Sequence, residues 1–216
     1  MKRICGIDDA GRGPVIGPMV LTGVLVTEEK VEQLKELGVK DSKLLSAKKR
    51  EALSKSIREI VDGVDIQIVE PAVIDNRESD GLNLNDLEAL KCAEIINVLK
   101  PDVAIIDCPS NNIKAWTSKV REFLSHECEL VVEHKADLNH PEVSAASIVG
   151  KVVRDAEVKK IEEMVGMPIG SGYPSDPVTK KFIQKHHEDF PDIFRKSWGT
   201  YQNLVVKKKQ HSLKDF

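Results

Sequence analysis

Cysteine is sparse in this 216-residue chain: Cys5, Cys92, Cys108 and Cys128 stand singly, without the paired spacing of a zinc site or the density of a disulfide scaffold. They read as small buried hydrophobes. No run approaches the roughly 20 uninterrupted apolar residues of a membrane span. The start, Met1-Lys2-Arg3-Ile4-Cys5-Gly6, enters a strand-like run without the apolar core of a signal peptide, so a cytoplasmic location is expected. Neither charge sign dominates. The 32 Lys and Arg against 35 Asp and Glu give −3, and with 41% apolar residues this excludes whole-chain disorder and fibre formation. Internal repeats and low-complexity stretches are absent as well.

What is present alternates. Short β-branched runs, Ile4 to Ile7, Val20 to Val26, Ile66 to Val69, Val103 to Ile106 and Leu130 to Val132, are separated by helical patterns, which argues for an α/β sandwich. Ser46 is a good N-cap for a helix with Leu53, Ile57, Ile60 and Val61 on one face, and Asn85 with Glu88 three residues on resembles a capping box. A long helix is expected from Pro141 to about Met164, with Val143, Ala146, Val149, Val153 and Ala156 apolar, stopped by Gly166 and Pro168.

Beyond it the composition changes. Seven of the nine aromatics (Tyr173, Phe182, Phe190, Phe194, Trp198, Tyr201 and Phe216) lie in the last 44 residues, as in a helical appendage with its own aromatic mini-core. From Lys180 to Lys209 eight Lys and Arg face three Asp and Glu, a net of +5 that leaves −8 for the remainder. A mildly acidic protein with one basic segment can still bind a polyanion through it. The expected division is residues 1–165 as a catalytic domain, 166–205 as a helical appendage and 206–216 as a flexible tail.

Carboxylates stand where these strands end. The first strand closes in Asp8-Asp9-Ala10-Gly11-Arg12-Gly13-Pro14, Asp107 closes Val103 to Ile106, and Asp137 follows Leu130-Val131-Val132-Glu133-His134. Strand alternation points Asp8 and Asp9 to opposite sides, so they share a cation only if the strand end twists or the second side chain reaches round. Alone, each carboxylate reads as a turn or cap residue. Three such strand ends converge on one rim of an α/β sheet, where hard oxygen ligands suit Mg²⁺ or Mn²⁺ better than zinc. That set points to phosphodiester chemistry, in which two ions roughly 3.5–4 Å apart activate a water and stabilise the leaving oxygen.

Gly6-Ile7-Asp8-Asp9-Ala10-Gly11-Arg12-Gly13-Pro14-Val15-Ile16-Gly17-Pro18 resembles the opening of type 2 ribonucleases H (RNase HII). Val39-Lys40-Asp41-Ser42-Lys43, Ile106-Asp107, Glu133-His134-Lys135-Ala136-Asp137, Ser144-Ala145-Ala146-Ser147-Ile148-Val149 and Ser171-Gly172-Tyr173-Pro174-Ser175-Asp176-Pro177 are similar to the family's other blocks, in its order, over nearly the whole chain. The archaeal branch fits best. The resemblance implies an RNase H-like core, a mixed central sheet flanked by helices with a small C-terminal helical appendage. It implies Asp8, Asp9, Asp107 and Asp137 as catalytic metal ligands for Mg²⁺ or Mn²⁺. Family members usually carry Glu where this chain has Asp9, and one methylene fewer shortens the reach to a shared ion.

The implied substrates are RNA/DNA hybrids and single ribonucleotides in duplex DNA, cut on the 5′ side to leave 3′-OH and 5′-phosphate ends. The 2′-OH distinguishes the two sugars. In the family Gly11, Arg12, Gly13 and the Tyr matching Tyr173 read the ribonucleotide and its 3′ neighbour. Lys43, Lys135, Lys151 and Ser147 lie within or beside matched blocks as candidate phosphate contacts. His134 is left outside the catalytic set, because strand alternation turns it from the side of Asp137. Gln210, Leu213 and Phe216, spaced i, i+3, i+6, resemble a sliding-clamp (PCNA) binding motif, and the protein is otherwise expected to be a monomer. Two other readings compete. An actin-like kinase or ATPase also opens on Gly-Ile-Asp but needs a second nucleotide-binding half, and a non-enzymatic clamp-bound module would bind duplex without cutting it.

Overall fold

The computed structural model describes residues 1–39 and 45–212, with side chains to residue 205. The aliphatic runs form one five-stranded sheet from β1 (Arg3–Ala10), β2 (Met19–Thr27), β3 (Gly63–Val69), β4 (Val103–Asp107) and β5 (Glu129–Glu133). Its order is β3-β2-β1-β4-β5. Antiparallel pairing joins β1 to β2 and β2 to β3, while β1–β4 and β4–β5 are parallel, so the expected mixed sheet is present. The two parallel crossovers carry β1, β4 and β5 to their C-terminal ends on one edge, where ligand sites of α/β sheets lie.

Helices cover both faces. On one side α4 (Leu84–Leu99) and α5 (Ile113–Phe123) pack Leu87, Cys92, Ile95, Ile96, Trp116 and Val120 against Cys5, Ile7, Leu21 and Leu25. On the other, α1 (Glu28–Glu36), α2 (Ala47–Ile60) and α7 (Pro141–Val165) pack Leu34, Ile57, Ala145, Ala146, Ile148 and Val149 against Val24 and Val26. The 25-residue α7 begins with Pro at its first position and ends at Gly166, close to the expected span. It crosses β1 closely: a Cβ on Gly6 would sit 2.3 Å from the Glu142 carbonyl carbon. Short α3 (Pro71–Asn76) and α6 (Ala136–Asn139) complete this part. Among the described residues no helix is long and apolar enough to cross a membrane.

Two expectations are corrected. The capping box of α4 is Asn83 with Asp86, each side chain taking the other's main-chain N–H at 3.1 Å, not Asn85 with Glu88. Both pairs have the same spacing, and the earlier one sits where the helix starts. The aromatic cluster at the C-terminal end is also not the appendage's own. Phe182 and Ile183 of α8 (Pro177–His186), Ile193 of a 3₁₀ turn (Pro191–Ile193) and Phe194 pack with Val15 and Ile16 from the loop after β1. Ile16 and Phe194 form an isolated antiparallel bridge, so the loop between β1 and β2 is walled by the C-terminal segment that leads into α9 (Gly199–Ser212).

Candidate active site

The end of β1, the end of β4 and the first turn of α6 open on one cavity of about 480 Å³. Asp8, Asp9, Asp107 and Asp137 all line it, with Gly11, Arg12, Arg50, Lys151, Arg154 and Tyr173. Alternation along β1 is visible in what each carboxylate meets. Asp8 lies on the α7 side, hydrogen-bonded by Ser147, and Asp9 lies toward α4, within electrostatic reach of Glu88 and Arg12. Both nevertheless reach the same cavity at the strand end. Asp107 Oδ1 accepts the main-chain N–H groups of Lys135 at 2.8 Å and Ala136 at 3.3 Å. Lys135 adopts the left-handed conformation, φ 59°, to present them. The same turn starts α6 and delivers Asp137, which is buried.

Crowding like charges in a buried place favours their neutral forms. Burial, and next the neighbouring Asp9, push Asp8 up to about 7. Burial, and next Glu88, push Asp9 up to about 7, with Arg12 and Lys151 pulling the other way. Among the described residues no three His, Cys, Asp or Glu side chains are already drawn together at metal-ligating spacing. Within the cavity Asp8 is repelled by Asp9 and Asp107, and Asp9 by Glu88 and Asp107. Behind them a void of about 10 Å³, room for one water-sized group, touches Asp8, Asp9, Glu88 and Asp107.

The Gly11-Arg12-Gly13 loop forms the next wall. Gly11 has φ +79°, a conformation that favours glycine, and a Cβ there would also crowd Arg154 Nε at 3.0 Å. The Tyr173 ring lies against Gly13, 3.3 Å from where a Cβ would be, and Arg154 lies over that ring at 5.5 Å. The side chain of Arg12 turns to α4 instead: Nε donates to Glu88 Oε1 at 2.8 Å and Nη2 to Asn85 Oδ1 at 2.9 Å. Asn85 and Glu88, expected as a cap, thus anchor this loop.

The remaining expected residues divide. Lys151 lines the cavity and donates to Ser147 Oγ. Ser147 is buried between Lys151 and Asp8 rather than presented at the surface. Lys135 is exposed and meets the site through its main chain. His134 pairs its Nδ1 with the Cys108 carbonyl at 3.2 Å, and it does not line the cavity. Lys43, Leu213 and Phe216 lie outside the described residues, as does the side chain of Gln210.

The sequence profile of the family described as Ribonuclease HII matches residues 5–201. The chain belongs to the ribonuclease HII family. It is 44% identical over 223 residues to Ribonuclease HII of Thermococcus sibiricus, covering 99% of this chain and 98% of that protein. The crystal structure of ribonuclease H2 from Pyrococcus horikoshii OT3 superposes with a TM-score of 0.87 at 37% identity, over 95% of this chain and 98% of that one. A second structure, the PCNA:RNase HII complex from Archaeoglobus fulgidus, gives 0.84 at 38% identity over 93% and 96%. Family membership makes the chain a type 2 ribonuclease H, a nuclease, and the mixed sheet with its flanking helices is the fold of these RNase HII structures.

Within this family member, several cavity residues carried no sequence signal. Arg50, which donates to the Leu45 carbonyl and to Asp155, reads in the sequence as one more basic residue of an amphipathic helix. Arg154 reads likewise, although it is buried on α7 and donates to the Ser171 carbonyl at 2.6 Å. Glu88 carried a signal that pointed elsewhere, to a helix cap.

Proposed function

We propose that this nuclease hydrolyses the phosphodiester 5′ of ribonucleotides, in RNA/DNA hybrids and at single ribonucleotides in duplex DNA, leaving 3′-OH and 5′-phosphate ends. One observation carries the reading: four carboxylates from three elements, β1, β4 and α6, open on a cavity that is also walled by the Gly11-Arg12-Gly13 backbone and Tyr173. An all-carboxylate set is the donor chemistry of hard divalent ions, and the burial and like-charge crowding that raise Asp8 and Asp9 are what such ions offset, so these residues fit Mg²⁺ or Mn²⁺. Asp8, Asp9, Asp107 and Asp137 would hold them. Bound there, a pair of ions supplies Lewis-acid chemistry, activating water and neutralising charge on the departing oxygen.

The protein's own part is placement. Ser147 orients Asp8, the Lys135 and Ala136 amides orient Asp107, and Glu88 with Asn85 holds Arg12 so that the loop meets the sugar through its backbone. Tyr173, packed on Gly13, covers the next sugar, where an added hydroxyl would crowd the ring. Lys151 at the cavity and Lys135 beside it are suited to phosphates. Residues 1–165 act in this reading as the catalytic unit and 166–205 as the appendage that brings Tyr173, with 206–216 as a tail.

The test is a DNA duplex with one ribonucleotide, with product ends mapped. Cleavage 5′ of the ribonucleotide is expected in Mg²⁺ or Mn²⁺, and Asp107→Asn should lower the rate by about 10² or more. Cutting elsewhere, or Asp107→Asn at the wild-type rate, overturns it. The Archaeoglobus fulgidus protein was solved with PCNA, and this supports reading Gln210, Leu213 and Phe216 as clamp ligands here. Deleting Gln210 to Phe216 should abolish clamp pull-down while sparing cleavage of short duplexes; unchanged pull-down refutes the assignment.

A further inference from the structure

Arg195 is fully buried, and among the described residues no carboxylate forms a salt bridge with it. Its guanidinium is spent on carbonyls instead: Nη2 donates to Gly11 O at 2.7 Å, Nη1 to Arg12 O at 2.8 Å and Nε to Gly17 O at 2.9 Å. The Trp198 ring stacks on it at 5.0 Å, and Trp198 Nε1 donates to Gly13 O at 3.2 Å. Three successive carbonyls of the Gly-Arg-Gly loop are thereby held from one side. A buried cation held by carbonyl dipoles and a ring face, with no salt-bridged carboxylate among the described residues, is expensive, and an apolar side chain would fill the same space at lower cost.

Peptide geometry gives this arrangement a consequence. In a trans peptide the C=O of one residue and the N–H of the next point in opposite directions, and among the described residues there is no cis bond. Fixing Gly11 O and Arg12 O on Arg195 therefore turns the Arg12 and Gly13 N–H groups away from it. Gly11 and Arg12 line the cavity and Arg195 does not, so those donors face the cavity side, where Tyr173 covers Gly13. Among the described residues neither N–H has an acceptor within the chain.

The anchor is itself anchored. Arg195 N donates to the Val15 carbonyl at 2.9 Å, and the next two residues are clamped by Asp75 of α3, which accepts Lys196 N at 2.8 Å, Ser197 N at 2.9 Å and Ser197 Oγ at 2.7 Å.

We propose that Arg195, with Trp198 beside it, is a positioning residue for sugar selection: it presets the Arg12 and Gly13 amides as donors to the ribonucleotide without touching substrate. This rests on the reading above, that the loop meets the ribose. The probe is the full chain in Mg²⁺ with a duplex containing one ribonucleotide as substrate and an all-DNA duplex of the same sequence as competitive inhibitor. The ratio of the inhibitor's Ki to the substrate's KM measures the preference for the ribose.

Arg195→Lys keeps the cation but replaces a three-carbonyl fork by one ammonium. It should lower the ratio at least fivefold through a raised KM, with Ki within twofold of wild type. Trp198→Phe keeps an aromatic ring beside Arg195 while removing the donor to Gly13 O, and should lower it about twofold to threefold, which keeps the test alive should Arg195→Lys fold poorly. A ratio unchanged in every variant that folds, or KM and Ki rising together as general damage would make them, overturns the inference alone. A wild-type ratio near one, or no cleavage at the ribonucleotide, overturns the functional reading and this inference with it.

Discussion

Asp9 shows how a single side chain sets the terms of the site. It shares β1 with Asp8 yet leans toward Glu88, and the small void beside both has room for one more methylene. Asp9→Glu should therefore be accommodated and should raise the Mg²⁺-dependent rate relative to the Asp9 protein, with a smaller gain in Mn²⁺. An equal or lower rate in Mg²⁺ would show that the short side chain suits this cavity. The same crowding has a stability consequence. Asp8 and Asp9 titrate near 7 in the folded chain against an ordinary value of 3.8. Between those values the folded state holds more protons than the unfolded one, so stability falls as pH rises from about 4 to 7 and levels above it. In protein stripped of divalent ions, the unfolding free energy from urea titration should be lower at pH 8 than at pH 5, by on the order of a few kcal/mol in total. Asp8→Asn should flatten that slope; a slope identical to wild type would assign it to other groups.

Among elements, the contact of β1 with α7 governs the site, because β1 ends in two of the carboxylates and α7 carries Ser147, Lys151 and Arg154. Gly6 makes the close crossing possible: an added Cβ would lie 2.3 Å, 2.4 Å and 2.5 Å from main-chain atoms of Glu142 and Val143, none of which can rotate away. Gly6→Ala should cost about 1–3 kcal/mol by denaturant unfolding and lower the cleavage rate as well, since the two elements must part. Unchanged stability would mean that α7 shifts freely over the sheet. The five strands were legible because Val103 to Ile106 and its counterparts are β-branched runs bounded by turns, and α7 because Pro141 and Gly166 mark its ends. Strand order and the antiparallel β2 were not, since pairing partners leave no trace in periodicity. The carboxylates were legible through their positions at strand ends. Glu88 and Arg195 were not, because a helical Glu and an Arg in a basic segment look the same whether they face water or hold a loop.

The molecule as a whole carries −3, yet its C-terminal segment from Lys180 to Lys209 carries +5, and the structure sorts those charges by use. Arg195 is buried on loop carbonyls, whereas Lys180, Lys181, Lys185 and Lys196 are exposed. Lys180 shares a groove of about 260 Å³ with Pro174, the neighbour of Tyr173, so on the proposed reading a duplex lying over the tyrosine would run on past this lysine. Each phosphate neutralised contributes about −0.9 to the slope of log affinity against log salt concentration, because condensed counterions are released. Replacing Lys180 and Lys181 together by Ala should flatten that slope by up to about 2 and weaken all-DNA and ribonucleotide-containing duplexes alike. Arg195→Lys should leave the slope as it is, since a buried side chain displaces no counterion, and should change only the choice between sugars. Filter binding over a salt series reads both. A slope that the lysine pair leaves unchanged, or that Arg195→Lys flattens, would exchange the two assignments: grip for the buried arginine, and mere solvation for the exposed lysines.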